Sequence, residues 1–393
     1  MDDSNRVDGP ARQRAYYREG LAAESPVPVD PAALREAAVE AMDPAVRAFV
    51  TGSAGEGETE RANREALDSW QIVPRALRDV SQRDLATTLF GRTHPAPVLF
   101  APVGVQSVVH EDAEPATAEA AAALGLGMAL STAASTPMED VAAALGDAPG
   151  WFQLYWSADR ELTRSFVDRA EAAGYEAIVL TVDMPVRGWI VDELAEGAFP
   201  LSNGHGFGNY LSDPVFREAL DAPPEDDLDE AIDRYLDVGM DASVTREQLR
   251  TLREWTDLPV VLKGVLRPED ARRAVDAGAD GVVVSTHGGR AVDGSVGALD
   301  ALPDIADAVD VPVLFDSGIR TGTGVFKSLA LGADAVMIGR PYLYGLALAG
   351  ADGAQAAMEN LLAELDVTLG TAGYADVADL DRSALRRHSG AGP

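Results

Sequence analysis

The feature that most constrains this chain is a rhythm. From about residue 97, short apolar runs alternate with Ala-rich amphipathic segments. The runs are Val98-Leu99-Phe100-Ala101, Gly127-Met128-Ala129-Leu130, Trp151-Phe152-Gln153-Leu154-Tyr155 and Ala177-Ile178-Val179-Leu180-Thr181. They continue with Pro259-Val260-Val261-Leu262-Lys263, Gly281-Val282-Val283-Val284-Ser285, Pro312-Val313-Leu314-Phe315-Asp316 and Ala335-Val336-Met337-Ile338-Gly339. Unbroken apolar strands separated by helices imply a parallel sheet covered on both faces, and eight such units are the number that closes a barrel. The competing α/β arrangement is a doubly wound open sheet, which places a Gly-rich fingerprint after its first strand. Here Ala101-Pro102-Val103-Gly104-Val105 follows instead. The expectation is therefore a single (β/α)8 barrel of the α/β class, with an N-terminal helical segment and one long insertion.

Residues 1–30 are polar and aperiodic and predict a flexible arm, leaving residues 31–393 as one domain. Asp30-Pro31 is an N-cap followed by Pro at the first helical position, and Leu34, Ala38 and Met42 share one helical face. A second helix is expected at Asp43-Pro44. The connection after the fourth run, from Met184 to about Leu258, is far longer than one helix requires. Residues 184–245 are expected to form a lid, with Trp189, Phe207 and Tyr210 as its apolar cover.

Charge narrows the partners. With 32 Lys+Arg against 64 Asp+Glu the net charge is −32, a field that repels nucleic acid backbones. The acids are dispersed, and Lys263 and Lys327 are the only lysines, a composition that reads as adaptation to high salt. No cysteine is present, which excludes disulfides and thiolate chemistry. The apolar runs are strand-sized, so membrane insertion is not expected. The chain starts with acidic Asp2 and Asp3 rather than a basic-then-apolar leader, so a cytoplasmic location is expected. Histidines and carboxylates do not cluster at ligand spacing, so no metal is expected and a metal-dependent aldolase barrel is disfavoured.

Polar residues fall at the carboxyl ends of the runs, where barrels carry their active sites. They are Gln153 and Tyr155, Thr181 and Asp183, Lys263, then Ser285, Thr286 and His287, Asp316, and Gly339 with Arg340. Asp316-Ser317-Gly318-Ile319-Arg320-Thr321-Gly322 and Gly339-Arg340-Pro341 follow the last two runs, the usual phosphate position, although glycines there also make tight turns. A lysine kept at a strand end in so lysine-poor a chain suggests a Schiff base or a held anion. Of the five histidines, only His287 ends a strand, and Gly288 and Gly289 follow it. It fits a general base, with Asp183 orienting the imidazole; the alternative is a satisfied core histidine.

Taken together, Phe152-Gln153-Leu154-Tyr155, Leu262-Lys263-Gly264, His287-Gly288-Gly289-Arg290, Asp316-Ser317-Gly318-Ile319-Arg320 and Ile338-Gly339-Arg340-Pro341 resemble the FMN-dependent 2-hydroxy-acid oxidase and dehydrogenase family, from about Ala41 to the C-terminal helix. In the lid, Phe199-Pro200, Gly204-His205, Asn209-Tyr210 and Ser212-Asp213-Pro214-Val215-Phe216-Arg217 look most like the lactate 2-monooxygenase branch. The resemblance implies FMN as cofactor. Pro102, Val103, Gly104, Ser131, Gln153 and Thr181 would hold its ring and ribityl chain, and Lys263 would balance negative charge on the ring, near Ser285. Asp316, Ser317, Gly318, Arg320, Gly339 and Arg340 would bind ribityl and phosphate. His287 would accept a substrate proton, paired with Asp183. Tyr155 would hydrogen-bond the substrate and Arg290 would bind its carboxylate. A tetramer or octamer of identical subunits is also implied.

Three positions depart from the family pattern. A second carboxylate-binding arginine is replaced by Ile190, an N-terminal tyrosine by Phe49, and the asparagine before the histidine by Thr286. Losing the first two contacts costs about 2–5 kcal/mol of substrate binding, unless Arg187 substitutes. Three readings follow: oxidation of a small L-2-hydroxy acid such as lactate, oxidation of a less anionic alcohol or amine, or a non-catalytic flavin-binding barrel. The electron acceptor stays open.

Overall fold

The computed structural model describes residues 7–19, 25–197 and 199–388. Its centre is a closed parallel barrel of eight strands: β1 (Val98–Phe100), β2 (Gly127–Ser131), β3 (Gly150–Leu154), β4 (Ala177–Thr181), β5 (Val260–Val265), β6 (Gly281–Val284), β7 (Val313–Phe315) and β8 (Ala335–Ile338). Each strand pairs with its sequence neighbours and β8 closes on β1, with Ile338 opposite Phe100. Alternation along each strand sorts the side chains. Leu99, Ala129, Trp151, Val179, Val261, Val283, Leu314 and Met337 fill the barrel interior, while Phe100, Phe152, Ile178, Val282 and Phe315 pack outward against the helices. This two-sided burial explains why the runs are unbroken in sequence.

The barrel floor is closed by a hairpin, Thr87–Leu89 with Arg92–His94. Its two-residue turn, Phe90-Gly91, has positive φ at both positions (48° and 83°), the backbone twist that suits a tight hairpin. Phe90 meets Trp151 with ring centroids 5.6 Å apart, so the hairpin plugs the barrel from below. His94 is buried with it, and its Nδ1 has no hydrogen-bond partner among the described residues.

The expected helix start at Asp30-Pro31 is present: the Asp30 side chain accepts from the Ala32 amide and caps Pro31–Ala41, with Leu34 and Ala38 buried. Pro44–Thr51 follows as expected. The arm differs from its sequence reading. Residues 1–6 and 20–24 lie outside the described residues, but Gly9–Glu19 is a helix docked on the long C-terminal helix Arg340–Thr371. The Gly9 amide donates to Asp366 at 2.9 Å and the Tyr16 hydroxyl to Asn360 at 2.9 Å. The helix is polar because polar contacts hold it, which leaves no apolar period to read.

The insertion lies between β4 and β5, after the fourth strand as expected, and carries the short helices Val191–Glu196, Gly208–Leu211, Pro214–Glu218 and Leu228–Val238. Phe207, Tyr210, Phe216 and Tyr235 form an edge-to-face cluster that anchors it. Arg169 ties it to the barrel through Asp213 at 3.0 Å. Trp189 does not belong to the cover: it is 73% exposed, because the backbone of 188–190 turns its side chain outward while Ile190 packs in.

Candidate active site

The site is a cavity of about 590 Å³ at the carboxyl rim of the barrel, under the insertion, a size typical of cofactor and ligand pockets. His287 stands where β6 gives way to the following loop, in a left-handed conformation (φ 55°) rare for a non-glycine residue. Such backbone strain persists where neighbours over-determine it. Ser285 Oγ accepts from the His287 amide at 2.9 Å. Ser317, itself at φ 83°, accepts from the amides of Thr286 and Gly288, both at 3.1 Å. Asn63 Nδ2 donates to Thr286 Oγ1 at 2.8 Å. The replacement at position 286 thus keeps a polar contact, supplied from helix Glu58–Asp68.

The imidazole is fixed on both sides. Nδ1 lies 2.9 Å from Asp183 Oδ1, and Nε2 lies 3.4 Å from the Tyr155 hydroxyl. Asp183 fits because of Gly264: at φ 108° and with a hypothetical Cβ 2.5 Å from Asp183 Cβ, only glycine is tolerated there. Burial pushes the Asp183 carboxyl upward, but His287 and Lys263 outweigh it and hold it below the ordinary carboxylate range. Burial and the Asp183 charge raise the Tyr155 hydroxyl well above its usual range, so it stays a proton donor.

Lys263, almost fully buried, bridges Asp316 and Ser285 Oγ, each at 2.9 Å. Burial pushes its ammonium downward, yet Asp316 and Asp183 outweigh that and keep it charged. Ser131 also lines the cavity, and Gln153 stands beside it. Gln153 Oε1 accepts from Ser131 Oγ at 3.1 Å, but Gln153 Nε2 and Thr181 Oγ1 are buried with no hydrogen-bond partner among the described residues. Orphaned buried polar groups of this kind are costly unless a ligand satisfies them. Pro102, Val103 and Gly104 line the wall, where a Cβ on Gly104 would lie 2.5 Å from the Ala133 carbonyl oxygen. At the far end, Ser317, Gly318, Arg320, Gly339 and Arg340 also line the cavity. Burial, then the nearby Arg340 charge, brings the Arg320 guanidinium down to about 10. Concentrated positive charge beside glycine amides suits a phosphate. These observations fit FMN. Arg340 has an additional structural task, donating to the carbonyls of Val50, Gly52 and Gly288 at 3.1, 3.1 and 2.9 Å.

Arg187, Ile190, Arg290 and Phe49 also line the cavity. Arg290 is not aimed at empty space. Its Nη1 donates to the carbonyls of Phe49 and Gly52 at 2.6 and 2.9 Å, and its Nη2 to Glu193 at 2.6 Å. Arg187 also pairs with Glu193 and lies over the Phe199 ring, 4.2 Å from its centroid. Burial lowers the Arg290 guanidinium, opposed by Glu193. Nothing in the sequence marks Glu193, Asn63 or Tyr235: an acid among 64, an amide in a helix more than 200 residues from His287, and an aromatic in the insertion carry no local signal. Among the described residues, no group of three or more histidines and acids could hold a metal ion.

Comparison with known proteins places these features in a group. The FMN-dependent dehydrogenase family model matches residues 38–387. An L-lactate oxidase of Lysinibacillus sphaericus (strain C3-41) is 42% identical over 374 residues, 95% of this chain and 96% of that protein. A crystal structure of a mandelate oxidase variant with 2-hydroxy-phenylacetamide superposes with TM-score 0.80 at 38% identity, covering 92% of this chain and 98% of that one. Another mandelate oxidase variant, with a C4a-OH-FMN adduct, gives TM-score 0.78 at 38% identity over 89% and 97% of the two chains.

Proposed function

The chain belongs to the FMN-dependent dehydrogenase family and is an FMN-dependent oxidoreductase of the α-hydroxy-acid oxidase type; from that premise we propose that it oxidises the 2-hydroxyl of a small L-2-hydroxy acid, lactate- or mandelate-like, to the 2-oxo compound. The observation that carries this reading is the contact chain Asp183–His287–Tyr155 opening into the same cavity as Lys263.

Oxidation removes two protons and two electrons from the carbinol, and FMN, when bound, supplies the two-electron acceptor. With its Nδ1–H hydrogen-bonded to Asp183, which keeps its charge, His287 presents the Nε2 lone pair to take a substrate proton. Asp183 then stabilises the imidazolium. Tyr155, held protonated, donates a hydrogen bond to a substrate oxygen. Ser131, Gln153 and Thr181 would orient the flavin ring with Pro102, Val103 and Gly104. Lys263 keeps a positive charge beside the ring position, positioned by Ser285 and Asp316. Ser317, Gly318, Arg320, Gly339 and Arg340 would hold the phosphate end. Arg290 and Arg187 would meet the substrate's carboxyl end. Phe49, Phe199, Tyr235, Leu236 and Met240 leave an apolar lining that favours a side chain larger than methyl.

A second reading, a less anionic substrate, is favoured by Ile190 and Phe49. Ile190→Arg tests it: a rise in kcat/KM for L-lactate of about tenfold or more supports the missing contact as the limit, and an unchanged value removes this reading. The lid's likeness to the lactate 2-monooxygenase branch supports a decarboxylated product, which product analysis of aerobic turnover separates from the 2-oxo acid. The family likeness also supports a tetramer or octamer, measurable by light scattering of the FMN-loaded protein. The primary test is anaerobic mixing with L-lactate and mandelate, in which flavin absorbance bleaches if the proposal holds.

A further inference from the structure

A carboxylate already pairs with the two arginines expected to meet a substrate carboxylate, although it does not itself line the cavity. Glu193 projects from helix Val191–Glu196 with its side chain only 5% exposed. One of its oxygens accepts from Arg290 Nη2 at 2.6 Å, and the other pairs with Arg187. The second terminal nitrogen of Arg290 is used as well, by the Phe49 and Gly52 carbonyls. Ile190, three residues before Glu193, contributes no charge and is buried at the cavity wall. The two cations that line this end therefore share one internal anion, and both terminal nitrogens of Arg290 are engaged.

A free carboxylate entering here meets two guanidiniums whose charge Glu193 already partly offsets, with that buried like charge one guanidinium's width away. Like charges in a desolvated site repel strongly. An amide or ester carbonyl needs a single donor and suffers no such repulsion. We infer that Glu193 is a specificity-determining residue that occupies the arginines of this pocket and turns it toward uncharged derivatives of 2-hydroxy acids, amides or esters, over the free acids. The inference rests on the reading of the cavity as a 2-hydroxy-acid site, so its test uses binding without turnover.

Phenylacetate and phenylacetamide are near-isosteric, differ in charge, and lack the 2-hydroxyl that would be oxidised. Each is titrated into the FMN-loaded protein and followed by the flavin difference spectrum. The wild type binds phenylacetamide at least as tightly as phenylacetate. In Glu193→Gln, phenylacetate tightens by about tenfold or more while phenylacetamide moves less than about threefold. A wild type that prefers phenylacetate by more than about tenfold overturns the inference, and that comparison needs no variant to fold. Equal shifts of both probes in Glu193→Gln overturn it too, because they mark Glu193 as a brace of the lid only. So does binding of neither probe by a protein whose flavin a 2-hydroxy acid reduces. Failure of every 2-hydroxy acid and amide to reduce the flavin overturns the functional reading instead, and leaves the charge preference of the probes readable.

Discussion

His287 is held by neighbours that each fix a different degree of freedom. Ser285 and Ser317 set its backbone, Asp183 sets its tautomer, and Tyr155 marks the direction of its basic nitrogen. Gly264 belongs to this group although it touches no substrate. In Gly264→Ala the new Cβ meets Asp183 at 2.5 Å in a backbone conformation that L residues avoid. The expected result is a stability loss of roughly 2–4 kcal/mol together with a slower flavin reduction, read by denaturant midpoint and anaerobic stopped flow. Full activity would show that Asp183 is free to move. The strand-end residues were legible in sequence because a barrel rim collects them at fixed points of the rhythm. Glu193 and Asn63 were not, because their significance arises from contacts made across the fold and nothing in their own segments marks them.

The strands were legible because burial on both faces leaves no polar interruption, as in Val282-Val283-Val284. The helix Gly9–Glu19 was not, since its docking relies on Asp366, Glu359 and Asn360 rather than on an apolar stripe. Nor could sequence tell that Trp189 faces solvent: an aromatic residue carries no direction of its own. The floor hairpin has its own pH signature. Burial, with the Arg92 charge, depresses the His94 imidazole from an ordinary value near 6.5 to about 4. The unfolded chain then binds a proton that the folded chain refuses between those values, so stability is intact above pH 6.5 and falls as pH drops toward 4. Between pH 7 and pH 5 this group removes about 2 kcal/mol. In His94→Leu the loss over that interval, measured by chemical denaturation, shrinks by about this amount; an unchanged pH slope would show that His94 is protonated in the folded protein.

At the scale of the molecule, a net charge of −32 spread over the surface opposes compaction. Self-repulsion is screened within about 10 Å at 0.1 M salt and about 3 Å at 1 M. Thermal stability is therefore expected to rise by several degrees between 0.1 and 2 M KCl, and a flat or falling Tm would contradict the reading of lysine scarcity as adaptation to salt. The same fold that carries this charge gathers its buried cations, Lys263, Arg290, Arg320 and Arg340, at one rim, so the surface and the site have opposite electrostatic character.

His287 is proposed to act as a base on a 2-hydroxy acid, or its neutral derivative, beside bound FMN. Anaerobic mixing of the FMN-loaded protein in molar KCl with L-lactate, mandelate and 2-hydroxy-phenylacetamide tests it most directly. At least one of these should bleach the flavin absorbance, and His287→Ala should slow that bleaching about 10²–10⁴-fold with the bound FMN spectrum retained. No bleaching by any of them, or bleaching of His287→Ala at the wild-type rate, would contradict it.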